Sequence, residues 1–151
     1  MCLWHTYAVR VVLCERLQAV LPKYAHGYEE DAGCDLFAIE GHSVKYGEVA
    51  MVRTGIKLAM PPGVQAEIRS KSGLATRGVH VVNSPGTVDP SYRGELVVIL
   101  TNVLQDTVHY INPGDKVAQI VFTEYLGAEL IEGTLENDTQ RGTGGFGSTG
   151  N

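Results

Sequence analysis

The 151-residue sequence lacks an apolar run that could cross a bilayer, since a membrane helix needs about 20 such residues in succession. The N-terminal segment from Ala8 to Leu13 is short and is interrupted by Arg10, so we expect no signal peptide. No long window shows the apolar period of about 3.6 residues that an amphipathic helix requires. We therefore expect a soluble protein with little helix and no membrane partner.

The sequence also has fewer basic than acidic residues, and its cysteines do not form a recognisable motif. Formal net charge is −5 at pH 7, with 12 basic and 17 acidic residues, which argues against direct nucleic-acid binding through a general positive field. Cys2, Cys14 and Cys34 are odd in number and form no CxxC motif. We expect reduced thiols in a cytosol-like compartment, cytoplasmic or, in a eukaryotic or viral host, nuclear.

Short β-type segments fill most of the chain. Runs rich in Val, Ile, Leu and Tyr alternate with Gly, Pro, Asn and Asp, a pattern typical of an all-β sandwich or barrel. We predict one β domain over residues 1–136, one short helix near Ser72 to Thr76, and a flexible Gly-rich arm over residues 137–151. The predicted strands are Tyr7 to Leu13, Cys34 to Ile39, Val49 to Leu58, Gly63 to Arg69, His80 to Asn83, Glu95 to Asn102, Thr107 to Ile111, Val117 to Tyr125 and Ala128 to Ile131.

One stretch combines turn formers with an acid and an aromatic ring. Gly86 to Glu95 reads Gly-Thr-Val-Asp-Pro-Ser-Tyr-Arg-Gly-Glu, and the four residues before Thr87 have the composition of a tight turn. We predict a hairpin-like loop from Asn83 to Tyr92 that exposes backbone donors and acceptors. Asp89 at its centre is either an ordinary surface acid or a carboxylate that faces a ligand.

Two earlier segments carry polar groups of use to an anionic ligand. Ala32 to Leu36 places Asp35 at the start of a strand behind a glycine, where it either caps backbone amides or serves a ligand. Arg69 to Ala75 puts two cations and two hydroxyls on a turn that leads into the predicted helix. Such a turn is either a solvated loop or an anion site.

Two later segments are equally ambiguous when taken alone. In Gly114 to Val121, Gln119 interrupts an apolar strand and either faces solvent or reaches a ligand. The segment from Arg141 to Thr149 matches GxGxxG, but only four residues follow its last glycine and no Lys does, which excludes a Rossmann fingerprint and a Walker loop. The arm is either a disordered terminus or a lid that orders over a phosphorylated, planar ligand.

Taken together and in this order, the five segments resemble the motifs of the trimeric dUTPases (deoxyuridine triphosphatases). The resemblance spans roughly residues 32–149. It implies a Mg²⁺-dependent hydrolysis of dUTP to dUMP and pyrophosphate, which limits uracil incorporation into DNA and supplies dUMP for dTMP synthesis. By resemblance, Asp89 orients and deprotonates the water that attacks the α-phosphorus, and Asp35 holds Mg²⁺ through bound water.

The resemblance also implies how the substrate is bound. Asn83 and the backbone of Thr87 and Val88 would pair with the uracil edge, and the Tyr92 ring would pack on the deoxyribose and leave no room for a 2′-hydroxyl. Unpaired buried polar groups make such discrimination large. By the same resemblance, the phosphate chain would be bound by Ser72, Gly73 and Gln119.

In the arm, the resemblance implies that Arg141 clamps the γ-phosphate, that Phe146 stacks over uracil, and that Gly147, Ser148 and Thr149 lie along the triphosphate. The sequence departs from the family at one position. The family commonly has Pro-Arg-Ser-Gly in its second motif, whereas this chain has Ser-Lys-Ser-Gly. Lys71 keeps the charge but loses the planar fork of arginine, and Arg69 is a candidate to compensate.

The resemblance further implies a jelly-roll-like β subunit in a homotrimer, with each active site built from three chains and closed by the C-terminal arm of one of them. A dCTP deaminase is the nearest alternative, because it shares the fold and a similar loop. Those enzymes use a glutamate for proton transfer and lack the Gly-rich arm. A jelly-roll module that only binds a partner is the alternative outside the enzymes.

Overall fold

The computed structural model describes residues 10–145, and this part of the chain is all-β with one short helix, as the sequence predicts. The strands follow in chain order as β1 Leu13–Arg16, β2 Gly33–Phe37, β3 His42–Lys45, β4 Val49–Arg53, β5 Ile56–Ala59 and β6 Val64–Arg69, then helix α1 Ser72–Ala75, then β7 Val79–Val81, β8 Gly86–Val88, β9 Val97–Asn102, β10 Val108–Ile111 and β11 Lys116–Glu124. No described helix has the length and apolar character needed to span a membrane.

The strands pair antiparallel in two larger and two smaller sheets. A four-stranded sheet has the order β2-β11-β6-β8, and a three-stranded sheet has the order β4-β9-β7. Two further pairs, β1-β5 and β10-β3, flank them. The four-stranded sheet thus places β2, β6, β8 and β11, which carry four of the five segments singled out above, side by side.

Alternating side chains build the core between these sheets. In β6 the buried residues are Val64, Ala66 and Ile68, and in β9 they are Val98, Leu100 and Asn102. A period of two residues turns every second side chain to the same face of a strand. Asn102 is buried yet satisfied, since its Nδ2 donates to the Val44 carbonyl at 3.2 Å and to the Thr107 hydroxyl at 3.0 Å.

Several predicted strand limits were wrong. The predicted strand Val49 to Leu58 is two strands, because Thr54 and Gly55 form a bend in which Gly55 has a φ of 66°. The strand predicted over Ala128 to Ile131 does not form, and that segment has no regular secondary structure and no partner strand among residues 10–145. Most of the predicted strand Tyr7 to Leu13 lies outside the described residues, and β1 begins only at Leu13.

Two strands escaped the sequence analysis. His42–Lys45 has only one buried side chain, Val44, so its apolar signal is weak. Gly86–Val88 lies inside the predicted hairpin-like loop, which does not close as a hairpin of its own. The strands on either side of the Asn83 turn join different sheets. Val79–Val81 pairs with β9, whereas Gly86–Val88 pairs with β6. The turn between them contains a cis peptide bond at Ser84-Pro85.

Candidate active site

A cavity of about 280 Å³ collects the residues of the third segment. It is lined by all five side chains or backbone segments predicted to contact a nucleoside or water there, namely Asn83, Thr87, Val88, Asp89 and Tyr92. They converge because β8 ends at Val88 and the chain turns back at once, with the Tyr92 backbone N–H donating to the Asp89 carbonyl at 3.1 Å. Five residues of the third segment therefore lie together on one wall of this cavity.

Asn83 and Gly86 lie against each other in the lining of this cavity. A Cβ atom on Gly86 would lie 2.9 Å from Nδ2 of Asn83, so the amide can cross this position only because a glycine is there. Thr87 is exposed on β8 while Val88 is buried below it. The result is a rim of amide and main-chain polar groups above an apolar floor, which is an arrangement suited to the edge of a nucleobase.

Asp89 offers its carboxylate to the cavity. The side chain is exposed, and within residues 10–145 it forms no ion pair, unlike the other acids near it. Tyr92 stands beside it, with 47% of its surface exposed and its hydroxyl donating to the Glu95 carbonyl at 3.0 Å. A carboxylate that is not committed to a structural partner can accept a proton from a bound water.

A second cluster surrounds Asp35 at the other end of the four-stranded sheet. Asp35 is buried, and Nζ of Lys71 contacts its Oδ1 while Nζ of Lys116 lies 2.7 Å from its Oδ2. Burial raises the pKa of the Asp35 carboxyl, but the hydrogen bonds from Lys116 and Lys71 outweigh it and the pKa falls below its usual range. The carboxylate therefore stays ionised between two ammonium groups.

Gln119 turns out to face inward. It lies opposite Asp35 in the pairing of β11 with β2, and its Nε2 donates to the Ser70 carbonyl at 2.9 Å. A Cβ atom on Gly33 would lie 2.7 Å from its Oε1, which explains the glycine that precedes the buried acid by two positions. The half-buried amide thus supports the loop that leads to α1.

The first turn of α1 and the loop before it present small polar groups. Ser72 and Gly73 are exposed, and no side chain caps the first turn of the helix. Ser70 connects this loop to the Asn83 turn, because its backbone N–H donates to the Ser84 hydroxyl at 3.2 Å and its own hydroxyl accepts from the Val81 N–H at 2.9 Å. The two predicted regions are therefore joined by direct hydrogen bonds.

The two basic residues of this loop differ in their partners. Arg69 is bound to Glu67, with Nε 2.9 Å from Oε2, whereas Lys71 points at Asp35. Lys71 also lines a separate cavity of about 290 Å³, together with Gly73, Lys116 and Arg77. This basic cavity and the Asp89 cavity share no lining residue within one chain.

The arm is described only in part. Arg141 is exposed, and its Nε donates to the Gly144 carbonyl at 2.9 Å in a local turn, so the described contacts do not bring it to Asp89 or Asp35. Phe146, Gly147, Ser148 and Thr149 lie outside the described residues. Ahead of them, four apolar side chains are almost fully exposed: Leu126 at 96%, Leu130 at 94%, Ile131 at 82% and Leu135 at 95%.

Sequence reasoning missed several residues of these clusters. Lys116 follows the turn at Pro113-Gly114 and looks like an ordinary solvated charge until β11 is paired with β2. Met51, Glu95 and Val97 line the Asp89 cavity. Of these, Glu95 alone gave a signal, because it ends the third segment.

A metal ion would find few ligands in a single chain. Among residues 10–145 there is no group of three or more His, Cys, Asp and Glu side chains that could hold one. Asp35 provides one carboxylate whose oxygens already contact two ammonium groups. Mg²⁺ is commonly held by one or two carboxylates together with substrate phosphates and water. The donor set therefore fits Mg²⁺ only as a water-mediated contact to a metal that phosphates bring with them.

Comparisons with known proteins agree with the five-segment pattern. A family model described as dUTPase matches residues 20–150. The deoxyuridine 5′-triphosphate nucleotidohydrolase of Solibacter usitatus is 47% identical over 134 residues, covering 88% of this chain and 90% of the relative. The protein of the same name from Clostridium tetani is 41% identical over 145 residues, covering 95% and 97%. Among solved structures, a Staphylococcus bacteriophage 80alpha dUTPase with dUpNHpp has a TM-score of 0.84 and 23% identity, covering 94% of this chain and 99% of that one.

Proposed function

The chain belongs to the dUTPase family, and from this membership we propose that it hydrolyses dUTP to dUMP and pyrophosphate. The observation that carries the proposal is the convergence of Asn83, Thr87, Val88, Asp89 and Tyr92 on one cavity of about 280 Å³. Residues that are scattered over ten positions of the sequence there form a polar rim, a carboxylate and an aromatic wall. These are the groups that a uracil, a water nucleophile and a deoxyribose require.

In the reaction we propose, the Asp89 carboxylate holds a water molecule in line with the bond to be broken and takes one of its protons. The water oxygen forms a bond to the α-phosphorus, the bond from that phosphorus to the bridging oxygen breaks, and pyrophosphate leaves. Charge accumulates on the departing oxygens, so catalysis depends on positioning and on nearby positive groups. Bound with the phosphates, Mg²⁺ would share that charge.

The chain's own residues supply the remaining contacts in this proposal. Ser72 and Gly73 would bind the phosphate chain, with Gln119 holding their loop through Ser70. Lys71 would reach the phosphates in place of the family's arginine, and Asp35 would contact the water shell of Mg²⁺. Both steps require ammonium groups to leave the Asp35 carboxylate, which Lys71 and Lys116 contact.

We propose that the active unit is a homotrimer whose sites combine residues of three chains. Two observations support it. Within one described chain the Asp89 cavity and the basic cavity share no lining residue, as expected if the nucleoside pocket of one subunit is completed by the basic residues of another. The exposed face of the three-stranded sheet carries Val49 and Met51, which are 61% and 63% exposed, and Met51 also lines the Asp89 cavity. Exposed apolar patches of this kind mark contact sites.

The C-terminal arm belongs to the same proposal. Just ahead of the arm, the apolar side chains of Leu126, Leu130, Ile131 and Leu135 are exposed in the described part of one chain, which is expected if they lie along a neighbouring subunit. Arg141, Phe146, Gly147 and Ser148 would then close that neighbour's site. Cytoplasmic action, with dUMP supplied for dTMP synthesis and uracil kept out of DNA, completes the proposal.

A dCTP deaminase is disfavoured by the position of Glu95. It is the only glutamate among the residues that line the Asp89 cavity in the described chain, and its oxygens are occupied by Arg53 and the Gly55 N–H. A glutamate committed to such bonds is a poor carrier of protons. A module that only binds a partner would not need an uncommitted Asp89.

The deciding experiment measures products from dUTP, dCTP, dTTP and UTP, each with and without Mg²⁺. Of the four nucleotides, we expect only dUTP to release pyrophosphate, and only when Mg²⁺ is present. Ammonia released from dCTP would establish the deaminase instead. If no substrate reacts while dUTP binds to the protein, the binding-module alternative stands.

A further inference from the structure

The Glu95 carboxylate is held by the bend between β4 and β5. The Arg53 guanidinium approaches it as a fork, with Nε 3.2 Å from Oε1 and 3.1 Å from Oε2, and Nη2 2.9 Å from Oε2. The Gly55 backbone N–H donates to Oε1 at 2.8 Å. The Glu95 side chain is only 17% exposed. A planar fork on a largely buried carboxylate fixes its orientation as well as its distance.

The main chain next to Glu95 is tied to the same bend. The Leu96 N–H donates to the Ile56 carbonyl at 2.7 Å, and the fully buried Thr54 hydroxyl donates to the Leu96 carbonyl at 2.7 Å. Positions 95 and 96 are therefore fixed by both side-chain and main-chain bonds. The bend gives this part of the third segment a rigid support from a distant part of the sequence.

The Tyr92 ring takes its position from this support. Its hydroxyl donates to the Glu95 carbonyl at 3.0 Å. A Cβ atom on Gly94 would overlap the hydroxyl, so the ring lies directly against the glycine main chain. Because 47% of Tyr92 is exposed, core packing encloses only part of the ring. A shift of the Glu95 carbonyl would therefore move the ring.

We propose that Arg53 and Glu95 are positioning residues that act through Tyr92 and set the discrimination between deoxyribose and ribose. This inference rests on the proposed function, in which the Tyr92 ring occupies the space of a 2′-hydroxyl. Arg53 does not line the Asp89 cavity, and the carboxylate oxygens of Glu95, which does line it, are held by Arg53 and the Gly55 N–H. Their ion pair holds the Glu95 carbonyl, the carbonyl holds the hydroxyl of Tyr92, and the ring excludes ribose.

The test compares kcat/KM for dUTP and UTP in the full chain, with Mg²⁺ present. Arg53→Lys keeps the charge and removes the fork, and Glu95→Gln keeps the shape and removes the charge. We expect each to raise the UTP to dUTP ratio of kcat/KM by about 10-fold, since a displacement near 1 Å in an active site changes rates by up to about 100-fold. Tyr92→Ala, which removes the ring, gives the upper limit of UTP entry.

A matched control and a double-mutant cycle separate positioning from general destabilisation. Lys45→Met breaks the exposed Lys45–Glu48 pair, whose atoms are 3.6 Å apart, and should leave the ratio unchanged. Tyr92→Phe keeps the ring and removes its hydroxyl. If Arg53 acts through that hydroxyl, Arg53→Lys adds nothing to the ratio already reached by Tyr92→Phe. Independent, additive effects would overturn the inference.

The outcomes also distinguish this inference from the function on which it rests. A wild-type protein that releases no pyrophosphate from dUTP refutes the proposed function, and the inference falls with it. A wild-type protein that hydrolyses dUTP, with Arg53→Lys and Glu95→Gln variants that keep its UTP to dUTP ratio, refutes the inference alone. Should Glu95→Gln fail to fold, the conservative Arg53→Lys and the cycle with Tyr92→Phe decide.

Discussion

Three carboxylates of this chain illustrate how surroundings assign different tasks to the same chemical group. Asp35 is buried between Lys71 and Lys116. Glu95 is bound by the Arg53 fork. Asp89 lines a cavity and, within residues 10–145, has no ion-pair partner. The two paired acids stabilise loops, and the third is the one with an oxygen available for a proton.

Asp89→Asn should therefore abolish turnover while dUTP still binds. The amide has nearly the same shape but cannot take a proton from water, and loss of a general base costs about 10²- to 10⁴-fold in rate. Pyrophosphate release and equilibrium binding of dUTP would measure the two properties separately. Asp106→Asn, on an exposed turn between β9 and β10, is the matched control. Turnover that survives in the Asp89 variant would assign the base to another group.

Glu95 should make stability depend on pH. Burial raises its pKa, but the Arg53 and Gly55 hydrogen bonds outweigh burial and the pKa lies below its usual value. A carboxyl with a lowered pKa stabilises the fold above the unfolded-state pKa of about 4.3, and this contribution is lost as the pH falls through the lower, folded-state pKa. The free energy of unfolding of Glu95→Gln should thus be lower than that of wild type at pH 7, and the difference should shrink as the pH is lowered toward 3.

Urea unfolding at both pH values would measure this convergence. Lys45→Met serves again as the reference for a broken surface pair. A difference between wild type and Glu95→Gln that stays constant from pH 7 to pH 3 would show that the pair adds nothing through its charge.

The bend from β4 to β5 affects both the pairing of these two strands and the position of the chain at Glu95. It splits an apolar run into two strands that pair with different partners, β9 and β1. It also carries Arg53, Thr54 and Gly55, which hold the chain at Glu95 and Leu96. The bend thus connects the sheet to the Tyr92 loop.

Gly55→Ala should destabilise the fold more than Gly47→Ala. Both glycines have positive φ, 66° and 73°, which costs an alanine about 1–2 kcal/mol. At Gly47 a Cβ meets nothing within 4 Å, whereas at Gly55 it would lie 2.7 Å from the Ala19 Cβ and 2.9 Å from the Leu17 carbonyl. Overpacking adds about 1–3 kcal/mol. Equal midpoints in urea for the two variants would contradict the close contact at Gly55.

At the scale of the whole molecule, the C-terminal segment has two separable parts. Ahead of the arm, the apolar side chains of Leu126, Leu130, Ile131 and Leu135 are exposed in the described part of one chain, which suits the proposed contact with a neighbouring subunit. Arg141 and the residues after it carry the polar and aromatic groups that the family resemblance assigns to the substrate. Assembly and catalysis should therefore respond to different changes in the C-terminal segment.

Truncation after Asp138 should leave a folded trimer with hydrolysis lowered by orders of magnitude. The apolar residues up to Leu135 remain, whereas the proposed γ-phosphate clamp and the ring over uracil are lost. Sedimentation velocity would give the assembly state and pyrophosphate release the rate. As the converse variant, a Leu126→Ser and Leu130→Ser double substitution keeps the end of the arm and should loosen assembly. Unchanged kinetics of the truncated chain would show that the arm is a linker.

The sequence alone determined the fold class and the short helix, and it grouped a set of residues that the structure places around one cavity. The wall around Asp89 could be predicted because Asn83, Thr87, Val88 and Tyr92 lie within ten positions, and local turn chemistry brings such residues together. The strand predicted over Gly63 to Arg69 likewise forms, as β6 Val64–Arg69. The prediction of a strand over Ala128 to Ile131 was wrong, because the apolar residues there have no strand to pair with in the described chain.

Only the tertiary structure decided which distant residues meet. Lys116 joins Lys71 on Asp35 because β11 pairs with β2 in a particular register, and Arg53 meets Glu95 across 42 positions. A period of two residues tells which side chains share a face of a strand, but not which strand lies next to it. Pairing depends on the free energy of the whole core, so the partners of a charged side chain become known only when the sheets are assembled.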